Sequence, residues 1–384
     1  MSRPLAAALA ALAVLALAPA TAVAQTSGVS LEASETRVPF GTSVILSGSI
    51  GLAAPGQQVE VRDGAGAVLT TVTDASGGYS VEVTPAATST YQALWADAAS
   101  APVTVEVQAV LDVRSSPARL FGTVTVRGTV EPARPGEVVL VRLIRRGRVV
   151  GSSRVTQRAD GAFSARLRVM EPGRYRVDAT FASSDLARGH AVSEPSTTPL
   201  PRLREGATGT FVRLLEARLV ELRYRLAGAR DGAYDRRTAD AVVAFHKVQR
   251  MDRAFVVDAA TWRALADPVV PRARSAGMAL HFEVDQTRQV LYTVERGEIT
   301  NILHVSTGAG GATRDGSYRV YRKLAGYSPN RLFYPSYFDG LRALHGWTEV
   351  PTYAASHGCV RIPYWNAIWV YRLASYGTRV LIYH

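Results

Sequence analysis

The one cysteine of this 384-residue chain, Cys359, stands in the cluster Ser356-His357-Gly358-Cys359-Val360-Arg361. A thiol attacks a carbonyl as thiolate, and an ordinary Cys pKa of about 8.5 leaves only a few per cent ionised near neutrality. An imidazole within hydrogen-bond reach removes that proton and later returns it to a leaving amine. Two histidines qualify. His357 sits two positions before the cysteine, on the same face if both lie on one extended strand. His345 lies upstream, ahead of a loop containing Pro351, with enough chain between to fold back. The residues alone leave both open. Gly358 lets backbone approach closely, so its N–H and that of Cys359 can line an oxyanion hole, each donor contributing about 3 kcal/mol. Arg361 suits bidentate pairing with a carboxylate. The bland alternative for the thiol is buried filler or an intermolecular link.

No group of residues has metal-site spacing, so neither a metal nor a cofactor is expected. Gly308-Ala309-Gly310-Gly311 looks like a phosphate loop, but strand residues rather than a helix follow it.

The elements that must position these residues lie in roughly 279–384. Phe282–Asp285 and Gln289–Val294 read as strands flanking a turn, and Ile302–Gly308 as another β run. A helix is expected between Pro363 and Ser375, with Pro at its first turn and Gly377 beyond its end, and Arg379–Tyr383 as a closing strand.

Upstream the pattern is helical. Val212, Leu215, Leu219 and Leu222 mark one face of a helix. A second helix is expected over Arg237–Gln249 with Val242, Phe245 and Val248 on one face. A third begins at the N-cap Asp258 and carries Trp262 and Leu265. The Ser/Thr/Pro-rich stretch Ser193–Pro201 reads as the start of a linker, 193–208.

Before it, two segments repeat one another. Phe40-Gly41-Thr42 recurs as Phe121-Gly122-Thr123, Gly77-Gly78-Tyr79-Ser80 as Gly161-Ala162-Phe163-Ser164, and Tyr91 as Tyr175. Alternating runs such as Val59/Val61 and Val81/Val83 between Gly, Pro and Asp turns predict antiparallel sandwiches of immunoglobulin-like size. Such modules serve as spacers without chemistry.

Residues 1–24 have the three parts of a secretory signal: Arg3, an apolar run from Leu5 to Leu17, and Ala22-Val23-Ala24 before Gln25. The run is shorter than the roughly 20 residues a bilayer span needs, which favours cleavage and leaves no membrane-spanning segment. Net charge is +12, with 47% hydrophobic and 20% charged residues. An exported basic chain meets anionic wall polymers rather than nucleic acid, so no nucleic-acid partner is expected.

Two resemblances follow from these residues. Asp231-Gly232-Ala233-Tyr234, Thr238, Ala241-Val242, Phe245, Thr261-Trp262 and Leu265 resemble the type 1 peptidoglycan-binding domain, except that Arg253-Ala254-Phe255-Val256-Val257 replaces its second Asp-Gly turn. The Ser356–Arg361 cluster resembles the signature of the L,D-transpeptidase (YkuD-type) catalytic domain. Leu344-His345-Gly346, Tyr334-Pro335-Ser336-Tyr337-Phe338 and Val305-Ser306-Thr307-Gly308 also fit it, while Thr313-Arg314-Asp315-Gly316 lacks the family's Pro.

The resemblance implies Cys359 as nucleophile, His345 as general acid/base and the Gly346 carbonyl as its orienting group. It implies that His357 and Arg361 shape the pocket and hold a carboxylate-bearing substrate, with Ser356 supporting the cysteine loop. The implied reaction cleaves the bond after the third residue of a peptidoglycan stem peptide, releases D-Ala and passes the acyl group to a neighbouring stem. Water as acceptor would make it an L,D-carboxypeptidase.

The expected architecture is multidomain and mainly β: signal 1–24, immunoglobulin-like β-sandwiches 25–108 and 109–192, linker 193–208, three-helix domain 209–267, linker 268–278 and catalytic domain 279–384. The expected product is secreted, associated with the cell wall and partnered with peptidoglycan. The competing reading is a wall-binding or structural protein without turnover.

Overall fold

A computed structural model describes residues 28–228 and 230–384. The expected signal segment, 1–24, lies outside them. No helix among the described residues is long and apolar enough to cross a membrane.

The chain forms two compact units. The first ends at Val110 and also takes in residues 182–189. It is a sandwich. One sheet runs Glu32–Ala33, Val44–Ser49, Gly78–Val83; the other runs Arg37–Pro39, Val103–Gln108, Ser89–Trp95, Gln58–Asp63, Val68–Val72. The period-2 pattern does what it should: Val59 and Val61 are buried in the core with Leu46, Tyr91 and Val105, while Glu60 and Arg62 point outward and pair at 2.8 Å.

The second unit holds the remainder. It begins with another sandwich, whose sheets include Thr123–Glu131, Ala162–Arg168 and Arg148–Thr156, Val138–Arg145, Arg174–Phe181. The first part of the expected linker belongs to this sandwich. Ser196–Thr197 pairs antiparallel with Arg174–Tyr175, and the buried Ser193 hydroxyl accepts from the Val177 N–H at 3.0 Å. Ser and Thr satisfy an edge strand as readily as a loop, so composition alone misplaced that boundary.

Three helices follow: α1 (Thr210–Glu221), α2 (Arg236–Val248) and α3 (Ala259–Ala266). Asp235 caps α2, accepting from the Arg237 and Thr238 N–H groups. Asp258 and Thr261 form a reciprocal capping box on α3. Leu222 forms the C-cap of α1 rather than continuing its face. Helix α2 departs from the one-faced expectation. Thr238 to Val248 are all buried, because α1 covers one side and the C-terminal sheet the other. The resulting core joins Phe245 and Trp262 to Val290, Tyr292, Val294 and Ile302 of that sheet and to Leu120 and Phe121 of the sandwich.

The C-terminal segment has nine strands among the described residues: β1 (Leu280–Asp285), β2 (Val290–Glu295), β3 (Glu298–His304), β4 (Gly316–Arg319), β5 (Arg322–Lys323), β6 (Phe333–Asp339), β7 (Arg342–Trp347), β8 (Val360–Pro363) and β9 (Arg379–Tyr383). One sheet has the order β3-β2-β1-β9-β4 and the other β5-β6-β7-β8. Phe282, Leu303, Leu344, Val360, Ile362 and Val380 fill the space between them, closed by α4 (Tyr364–Leu373), which starts directly after β8 with Pro363 as its N-cap. Strands β7 and β8 are parallel. A parallel pair needs a crossover of about a dozen residues. Here that crossover is 348–359, and the cysteine is its last residue.

Candidate active site

The register of β7 and β8 pairs Leu344 with Val360 and His345 with Arg361. Leu344, Val360 and Ile362 face the core. Alternation therefore sends His345, Trp347 and Arg361 to the opposite face, and Cys359, one step before β8, joins them beside Ala343. The contacts agree. The Arg361 guanidinium lies over the Trp347 ring at 5.2 Å, and the His345 ring meets Trp347 edge-on at 5.5 Å. The Cys359 thiol donates to the Leu341 carbonyl at 3.7 Å, and the Ala343 N–H points back at the sulfur.

His345 is 2% exposed, and its Nδ1 lies 2.9 Å from the Gly346 carbonyl. A carbonyl only accepts, so Nδ1 carries the proton and Nε2 is left as the basic atom. Gly346 is required here because a Cβ would stand 2.6 Å from that of Ala367 and 2.9 Å from the Phe333 ring. Burial pulls the imidazole pKa down to about 4, against the Gly346 hydrogen bond, with Arg361 adding to the fall. Burial pushes the Cys359 thiol up, while the Ala343 N–H, Arg361 and Arg342 act the other way. The resting pair is a neutral thiol and a neutral imidazole.

The cysteine loop is held from both sides. The Ser356 hydroxyl donates to the Cys359 carbonyl at 2.6 Å and accepts from the Gly358 N–H at 3.1 Å. The Thr313 hydroxyl donates to the Gly358 carbonyl at 2.8 Å and accepts from the Gly308 N–H at 2.7 Å. Gly358 has φ +129°, and a Cβ there would stand 2.8 Å from Arg342 Nε and 3.0 Å from the Ala312 carbonyl. The Gly358 N–H, expected to line an oxyanion hole, is here engaged by the Ser356 hydroxyl.

His357 is exposed on the loop. Sequence reasoning missed Arg342, which donates to the Ala312 carbonyl at 2.8 Å and pairs with Asp339 at 2.7 Å, and also Trp347. Nothing in their local sequence marks them. The retained hydroxyl of Thr313 was a usable sign. Asp315, at the turn that lacks the family's Pro, accepts from Gln286 at 2.7 Å and from His384 at 3.0 Å.

Residues 280–382 match the family model of the YkuD L,D-transpeptidase catalytic domain, and residues 208–265 match that of a peptidoglycan binding domain. The chain belongs to the YkuD family of L,D-transpeptidases. A solved L,D-transpeptidase from Xylanimonas cellulosilytica is 34% identical, over 48% of this chain and 99% of that one, with a TM-score of 0.45. A solved L,D-transpeptidase (Yku) from Stackebrandtia nassauensis is 25% identical over 49% of this chain and 98% of that one, with a TM-score of 0.32. An L,D-transpeptidase from Mycobacterium tuberculosis is 11% identical over 71% of this chain and 95% of that one, with a TM-score of 0.26. No curated protein matches. The YkuD match spans the segment that carries His345 and Cys359.

Proposed function

We propose that this YkuD-family enzyme cross-links peptidoglycan stem peptides through a thioester on Cys359, outside the cytoplasmic membrane at the cell wall. The observation that carries the reading is the β7–β8 register. It sets Cys359 and His345 on one face, with Nδ1 committed to Gly346 and Nε2 left to act as base.

In the first half-reaction the Cys359 sulfur attacks the carbonyl carbon of the stem's third residue as its proton passes to His345 Nε2. The C–N bond to D-Ala breaks, and the imidazolium returns the proton to the departing amine. In the second, the side-chain amine of a neighbouring stem attacks the thioester, loses its proton to Nε2, and frees the thiol. The Cys359 N–H is the oxyanion donor that remains once Gly358 is committed to Ser356. Arg361, braced on Trp347, receives a substrate carboxylate.

Incubation of the mature chain with tetrapeptide stems, followed by mass spectrometry, tests this. Cross-linked dimers with loss of D-Ala are expected. Trimmed tripeptide alone would assign a carboxypeptidase. If neither product appears, and no carbapenem adduct forms on Cys359, the catalytic reading is wrong.

A further inference from the structure

The crossover 348–359 is largely irregular, and its carbonyl groups need partners. Val350 O accepts from His304 Nε2 at 2.9 Å, Thr352 O from Arg253 Nη1 at 2.6 Å, and Tyr353 O from the Ser306 hydroxyl at 2.7 Å. Two of these three holds trace back to the helical segment. Arg253 belongs to the turn after α2, and its other nitrogen donates to Thr287 O at 2.9 Å. His304 donates from Nε2, so its Nδ1 is an acceptor, and that acceptor faces Lys247 Nζ of α2 at 2.6 Å. The same nitrogen donates to Gln289 O at 2.8 Å and lies 2.9 Å from Val305 O, so three acceptors surround it inside the core, where burial pulls its pKa well below the usual lysine value. A lysine is rarely buried unless it is fully matched in this way.

We propose that Lys247 and Arg253 are positioning residues: through His304 and directly, the helical segment holds the crossover that presents Cys359 to His345. The proposal rests on Cys359 as the nucleophile. It also gives a use to Arg253, which stands where the related binding domains have a second Asp-Gly turn: here that turn grips the catalytic loop.

The test compares carbapenem acylation per folded molecule with amide hydrogen exchange of 348–358 in the full chain. Arg253→Ala removes a hold at the surface and is expected to keep the melting temperature near that of wild type. It should slow acylation about tenfold, within the range that small misplacement costs, and speed exchange in 348–358 but not in α4. Arg253→Lys, which can still reach one carbonyl, should restore most of the rate. Lys247→Met should show the same two changes in whatever fraction folds. Arg263→Ala, exposed on α3, is the control and should match wild type.

Wild-type acylation and exchange in both Arg253→Ala and Lys247→Met would overturn the proposal, as would a rate that falls only with the folded fraction. A wild type that is never acylated would instead sink the assignment of Cys359, and exchange would still report whether the two residues hold the loop.

Discussion

At the scale of the residue, Cys359 and His345 rest uncharged. Burial disfavours the thiolate and the imidazolium alike. Under the proposed mechanism, attack and proton transfer then belong to one event in the bound complex, unlike a preformed ion pair. Cys359→Ala should abolish acylation and cross-linking while shifting stability by no more than about 0.5 kcal/mol, since a half-buried sulfur is lost. His345→Ala should slow acylation by about 10²–10⁴-fold. His357→Ala should be milder, and the reverse order would overturn the base assignment. The pH profile gives a separate check. Nε2 accepts a proton only when the ring is neutral, and the folded ring charges near pH 4. Acylation of folded enzyme should stay flat as pH falls from 7 to about 5 and halve near pH 4. An imidazole of ordinary pKa, about 6.5, would halve it far earlier.

At the scale of the element, the geometry belongs to one crossover between two parallel strands. Strands β7 and β8 set which face the reactive groups share, and the hydroxyls of Ser356 and Thr313 hold the last turn before the cysteine. Thr313→Val should leave the Gly308 N–H and the Gly358 carbonyl unpaired in a buried place, costing about 1–3 kcal/mol. Urea denaturation would read that loss, and acylation should fall with it. Gly358→Ala combines a positive φ with a collision against Arg342 and Ala312. It should lower acylation by more than tenfold, because Arg342, which must move, also acts on the Cys359 sulfur.

At the scale of the whole molecule, the five-stranded sheet of the C-terminal segment lacks a core of its own on one side. Val290, Tyr292, Val294 and Ile302 are buried against the helices. Exposing them forfeits on the order of several kcal/mol, comparable with a typical net stability of about 5–15 kcal/mol. A chain cut to begin at residue 279 should therefore aggregate or bind a hydrophobic dye, whereas one beginning near residue 200 should stay monomeric and cooperative. Light scattering and thermal melts of the two fragments decide it. Equal behaviour would mean that the helices merely rest on the sheet.

Much of this was legible in the chain itself. Alternating valines placed the sandwich strands, Asp258 marked the start of α3, Pro363 the start of α4, and the lone cysteine drew attention to its cluster. Local rules suffice for these because each depends on neighbours within a few positions. Other features needed contacts between residues far apart in the chain. The residues left His345 and His357 open, and only the register of β7 and β8 puts His345 on the face that Cys359 shares while His357 is exposed on the loop. That the Gly358 N–H donates to the Ser356 hydroxyl could not be read until the loop was seen folded. Helix α2 read as one-faced until a sheet from downstream covered its polar side. Residues such as Lys247, Arg253 and Arg342 look like ordinary surface charges in sequence. Only the packed chain aims them, because a side chain's partners are set by what folding brings beside it.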